Sequence, residues 1–98
     1  MVLEIAEFAI KPGQEDDFAA AYHQAVPLVA ATEGFRSARL TRGVESPSTF
    51  VLMIEWDSVE AHDVGFRESD RFPQWRALIG PFFAGDPRVH HTRDVDPA

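Results

Sequence analysis

An unbroken run of β-forming apolar residues, Thr49-Phe50-Val51-Leu52-Met53-Ile54-Glu55-Trp56, is the strongest constraint on what this chain can fold into. It shows no alternation of polar and apolar positions, and Ser46-Pro47-Ser48 precedes it as a turn. Such a run reads as a strand buried on both faces. In a chain of 98 residues, its own helices suffice to cover one face. The other face calls for a second copy of the protein. The run ends on Trp56 and passes directly into a helix start, Asp57-Ser58-Val59-Glu60, so a polar site is expected at that junction.

The rest of the chain supplies the remaining elements. Val2–Ile10 reads as a first strand, apolar on most positions of both faces, with Glu4 and Glu7 as exceptions. Lys11-Pro12-Gly13 ends it. A helix follows from about Gln14 to Thr32, because Phe18, Ala21, Tyr22, Ala25, Leu28 and Val29 recur at three- and four-residue spacing. Glu15, Asp16 and Asp17 favour its positive end, and Pro27 should kink or divide it. Phe35–Arg42 is a second strand, expected to pair with Thr49–Trp56 as an antiparallel hairpin. Asp57 or Ser58 caps the next helix, and Asp57 with Glu60 resembles a capping box. Asp70 and Pro73 mark a break and restart, and Gly80-Pro81 a stop. Arg88–Asp94 is a last strand, and 95–98 a loose tail.

The order β-α-β-β-α-β makes one domain over 1–98: an α+β, ferredoxin-like unit with an antiparallel sheet and both helices on one face. The uncovered sheet face would be a large apolar patch. Two sheets packed face to face remove it, so a homodimer is the expectation.

Composition narrows the function classes. A formal charge of −7 without a basic cluster argues against nucleic acid and anionic membrane as partners. The absence of cysteine excludes disulfides and thiolate chemistry. No basic, apolar leader opens the chain, and no stretch approaches the roughly 20 apolar residues of a membrane span. A cytoplasmic protein is expected.

Several segments resemble a known family: Lys11-Pro12-Gly13-Gln14-Glu15-Asp16-Asp17-Phe18, Glu33-Gly34-Phe35, Glu55-Trp56-Asp57-Ser58-Val59-Glu60-Ala61-His62, Ser69-Asp70-Arg71-Phe72 and Trp75-Arg76. Together they look like an antibiotic biosynthesis monooxygenase (ABM) domain, which implies the dimeric α+β barrel fold. The nearest mechanistic parallel in it is the cofactor-free monooxygenase of the actinorhodin pathway, which oxidises a polycyclic phenol to a quinone with O₂ alone. Its pocket tryptophan, one tyrosine and an arginine carry over onto Trp56, His62 and Arg76. Its pocket asparagine falls at Leu52 and another tyrosine near Leu40, so that part is not carried over. The heme-degrading branch fits worse, its three key residues falling near Glu7, Gly65 or Phe66, and Arg76.

The resemblance implies a cofactor-independent monooxygenase acting on a phenol, hydroquinone or anthrone, with no metal or other cofactor. Chemistry suggests the roles. His62, on the face of Val59 and Phe66, titrates near neutrality and suits a general base; the bland alternative is a satisfied core histidine. Trp56 either donates its indole N–H to a substrate anion or bonds the backbone as a core residue. Arg76, on the line of Phe72 and Ile79, either meets that anion or pairs with a surface acid. Phe66, Phe72, Trp75, Phe82 and Phe83 serve as core, as walls for a flat ligand, or as both. His90 and His91 are adjacent on a strand and point to opposite faces, so the pair cannot chelate one ion. Two rival functions use the same pocket: a non-catalytic, ligand-binding or stress-responsive dimer, and a polyketide-type cyclase or isomerase with His62 as base.

Overall fold

The computed structural model describes residues 1–96. Of the proposed tail, Pro97 and Ala98 lie outside the described residues. Four strands form one antiparallel sheet: β1 (Val2–Ala9), β2 (Phe35–Arg42), β3 (Thr49–Trp56) and β4 (Arg88–Thr92), in the order β2-β3-β1-β4. Two helices, α1 (Glu15–Ala30) and α2 (Arg71–Ile79), complete the ferredoxin-like α+β arrangement. The hairpin of β2 and β3 forms as expected, with a register shift between Phe35 and Ser37.

Strand parity explains the layering. Val2, Glu4, Ala6 and Phe8 of β1 and Phe50, Leu52, Ile54 and Trp56 of β3 are all buried, because alternate side chains share one face. Against them α1 lays Phe18, Tyr22, Ala25 and Val29, all buried. Phe18 is fully enclosed and meets Phe8 and Phe50 edge-on, with ring centroids 5.7 and 4.9 Å apart. The opposite face of β1 and β3 carries Leu3, Ile5, Val51 and Met53, only partly covered within one chain. β3 therefore has no exposed position, one face closed by helices and the other half-closed.

Three local expectations change. Pro27 does not divide α1, which runs unbroken to Ala30; the proline sits in the last turn, where few bonds remain to be lost, and Ala31 N–H donates to the Pro27 carbonyl. The Asp57–Glu60 capping box does not form. Ser58 Oγ instead accepts from the Ala61 amide at 3.1 Å, while Asp57 pairs with Arg36. The segment after Glu60 is not an α-helix but a π-helical turn, Ala61–Phe66, closed by Arg67 N–H donating to the His62 carbonyl at 2.9 Å. β4 is also shorter than expected, ending at Thr92.

Gly34 holds this turn against the sheet. Its φ is +92°, and a Cβ there would lie 2.6 Å from the Ala61 Cβ. Its carbonyl accepts from the Asp57 amide at 2.8 Å, which ties the end of β3 to the start of β2. Gly34→Ala combines a disfavoured backbone with a steric clash and should destabilise the fold by roughly 2–4 kcal/mol, measured as a lowered urea midpoint with unchanged slope.

Candidate active site

A cavity of about 250 Å³ lies between the sheet and the helices, and its floor, walls and rim come from different elements. The sheet supplies Glu4, Ala6, Phe8, Leu52 and Ile54. The π-helical turn supplies His62 and Phe66, α2 supplies Phe72, Trp75, Arg76 and Ile79, and the following segment Phe83. Apolar groups predominate, and the polar ones are few: Glu4, His62, Arg67 and Arg76.

Glu4 is the group around which the polar part is arranged. It stands on the buried parity of β1 and is 5% exposed. Its Oε1 accepts from Trp56 Nε1–H at 2.9 Å and lies 3.3 Å from His62 Nε2. Both contacts fall on Oε1. The His62 ring is held against aromatic neighbours, stacked on Trp56 at a centroid distance of 5.3 Å and on Phe66 at 6.5 Å. Its other nitrogen, Nδ1, is 2.8 Å from Nε2 of His91 on β4. If His62 Nε2–H donates to Glu4, then Nδ1 accepts from His91, and every proton in the chain of contacts is placed.

Burial dominates the acid–base behaviour of the pair. It pushes the Glu4 carboxyl up to about 7, against the Trp56 hydrogen bond, which lowers it. Burial, with His91 beside it, pushes His62 down to about 4. Near neutral pH the histidine is thus uncharged, and the carboxyl is the group poised to take up or release a proton.

The sequence expectations fare unevenly. His62, Phe66, Phe72, Trp75, Arg76 and Phe83 all line the cavity. Trp56 needs correction as a substrate donor, since its only N–H is spent on Glu4. Phe82 needs correction as a wall: the short 3₁₀ turn Gly80–Phe82 directs it to Phe18, with centroids 6.3 Å apart. Arg76 is exposed rather than buried; its guanidinium lies 5.4 Å from the centre of the Phe83 ring, at the cavity's edge. Sequence reasoning passed over Glu4, Arg67 and His91. The signal for Glu4 was present, as a charged residue on the same parity as Val2, Ala6 and Phe8.

An antiparallel sheet with both helices on one face, and a mostly apolar cavity between the layers gated by a buried carboxyl, defines a pocket-bearing ferredoxin-like domain. The chain belongs to the antibiotic biosynthesis monooxygenase family, whose profile matches residues 1–78. A solved structure from Bordetella bronchiseptica, assigned to the same family, is 40% identical and superposes with a TM-score of 0.93 over 96% of each chain. The uncharacterised protein YczJ of Bacillus subtilis is 36% identical over 95 residues, covering 97% of this chain and 100% of its own. SnoaB of Streptomyces nogalater, a cofactor-independent oxygenase, shares the fold with a TM-score of 0.80 at 15% identity, over 99% of this chain and 97% of its own. Among the described residues, no helix is long and apolar enough to cross a membrane.

The two shifted groups make opposing contributions to stability. Glu4, raised from 4.5 to about 7, favours the fold below pH 4.5 and loses that contribution as pH rises through 7. His62, lowered from 6.5 to about 4, favours the fold above pH 6.5 and loses its contribution as pH falls through 4. Their slopes cancel between pH 4.5 and 6.5, where stability should be nearly flat. Glu4→Gln should uncover the histidine, giving urea midpoints that fall as pH drops across this window. His62→Asn should uncover the carboxyl, with midpoints that fall as pH rises. Each slope is at most about 1.4 kcal/mol per pH unit.

Proposed function

We propose that this protein is a cofactor-independent monooxygenase that oxidises an electron-rich aromatic, of the phenol, hydroquinone or anthrone type, to a quinone with O₂. The observation that carries this reading is the Glu4 carboxyl, set beside His62 at the polar end of a cavity walled by Phe66, Phe72, Trp75 and Phe83. A flat ring fits between such walls. Family membership and the shared fold with a cofactor-independent oxygenase support it.

The chemistry runs on the substrate's own electrons. A carboxylate at Glu4 takes the acidic proton of a bound anthrone or phenol, while His62 and Trp56 hold its Oε1 by their N–H groups. The substrate anion passes one electron to O₂, and the radical pair combines to a peroxide on the ring carbon. Glu4 returns its proton to the peroxide anion, and loss of water from the hydroperoxide leaves the carbonyl. One oxygen atom enters the quinone and the other leaves as water, so no external reductant is needed. Arg76, at the cavity's edge, faces the anion and steers it inward. This assignment moves the base from His62 alone to the Glu4–His62 pair, because the neutral histidine is the weaker proton acceptor at pH 7.

The active form we propose is a homodimer. Leu3, Ile5, Val51 and Met53 form an apolar strip on the sheet face without helices, and a second sheet packed on it removes that strip from water.

Two measurements test the reading. With a dihydroxyanthrone as probe, an oxygen electrode should record consumption of one O₂ per quinone formed. Glu4→Gln should lower kcat by about 10²-fold or more, while Arg76→Ala should act mainly on KM. Quinone-free conversion of the probe without O₂ uptake would instead make the protein a cyclase or isomerase, and binding without turnover a ligand-binding dimer. In sedimentation at micromolar concentration the chain should run at twice its 11.0 kDa, and Met53→Asp should return it to the monomer. A wild-type monomer would overturn the dimer.

A further inference from the structure

The edge of His62 that faces away from Glu4 belongs to a second cluster, whose other members, Asp63 and His91, the proposed reaction does not use. One donor atom from each of His62, Asp63 and His91 lies within 4.8 Å of the other two. His62 Nδ1 is 2.8 Å from His91 Nε2 and 3.6 Å from Asp63 Oδ1. We propose that His62 Nδ1, His91 Nε2 and the Asp63 carboxylate form a binding site for a divalent first-row transition-metal ion of the zinc class.

Three observations support the assignment. The first is donor chemistry: two imidazoles and one carboxylate suit zinc and its neighbours, and three protein ligands leave an open position for water. The two separations from His62 Nδ1, 2.8 and 3.6 Å, are both below the roughly 4.4 Å that donors at the usual bond lengths of about 2.0–2.2 Å can span across one ion. The second is the support behind the ligand. A metal-bound histidine almost always donates its other N–H to a carboxylate or carbonyl. Here His62 Nε2 already faces Glu4 Oε1 at 3.3 Å, and that oxygen is held in turn by Trp56 Nε1–H. The third is preorganisation. His62 is 4% exposed, and its ring is held by stacking on both Trp56 and Phe66. His91 and Asp63 are only half-buried, which leaves the ion a path from solvent.

With His62 Nδ1 accepting from His91 Nε2–H, the ion takes the place of that proton, which leaves to solvent. The π-helical turn contributes as well. A wider turn sweeps less angle per residue than an α-helix, so the consecutive side chains of His62 and Asp63 can face one point. The earlier expectation of no metal site considered His90 with His91. Those two do part to opposite faces, His90 opposite Ile5 and His91 opposite Glu4, but His91 finds its partners on another element.

The test needs no substrate and stands apart from the proposed oxygenation. Tag-free protein is titrated with zinc sulfate in a calorimeter, and thermal midpoints are recorded with and without the metal. One zinc ion per chain should bind, with a raised midpoint. His91→Ala and Asp63→Asn should each weaken binding tenfold or more and abolish the shift. His90→Ala, on the opposite face, should bind as the wild type does. No binding at 100 μM zinc, binding that survives either of the first two substitutions, or an equal loss in His90→Ala would overturn the site. The two variants are independent, so a folding failure in one leaves the other to decide.

Discussion

A carboxyl group in the buried layer of β1 sets the terms for everything around it. Left alone, Glu4 would cost several kcal/mol to bury in charged form, and it would remain expensive as an unpaired acid. Trp56 and His62 resolve this by converging on one of its oxygens. The requirement explains why the aromatic end of β3 and the turn that follows it must pack where they do. An indole at position 56 and an imidazole at 62 are partners of a residue more than fifty positions earlier. That long-range demand links the first strand, the central strand and the helical layer more specifically than apolar burial does.

The same arrangement leaves the molecule with two unlike surfaces at its midplane. Toward the helices, the sheet is polar at Glu4 and His91, beside which the cavity opens, and at Arg42, which reaches Asp16 of α1. Toward the other side, Leu3, Ile5, Val51 and Met53 form a strip interrupted by Glu7 and Glu55. Small domains seldom afford both a cavity and a second apolar face, since each removes packing from a core of limited size. Here Phe18 packs against Phe8, Phe50 and Phe82, and the pocket runs beside that cluster from Glu4 to Phe8 and Phe83.

Much of this was legible in the residues. Periodicity gave α1, the apolar run gave β3, and their order gave the ferredoxin-like topology. Of the dense aromatics of the second half, Phe66, Phe72, Trp75 and Phe83 line a cavity and Phe82 does not, since its direction depends on a tight turn that spacing does not reveal. The polar half was harder to see. Glu4 interrupts a strand and reads as a blemish until its parity is compared with that of Val2, Ala6 and Phe8. His91 is intelligible only through the pairing of β4 with β1, which brings it opposite Glu4. Trp56 donates to Glu4 rather than to the backbone or a ligand, because a sequence shows that an indole needs an acceptor but not which acceptor lies nearest. Ser58 displaced Asp57 as the cap because Asp57 had Arg36 across the hairpin.

The π-helical turn at Ala61–Phe66 has a consequence for chain length. Such a turn amounts to one residue more than an α-helix would use over the same rise. Removing one residue between Trp56 and Arg71 would let the backbone relax into an ordinary helix at little local cost. It would also rotate the side chains on one side of the deletion by about 100° relative to those on the other. His62 or Phe66 would then leave the stack on Trp56. Insertions and deletions in this short stretch are therefore not the neutral events that loops usually tolerate. In any alignment of related chains, a gap placed here separates proteins that can hold a histidine against Glu4 from proteins that cannot.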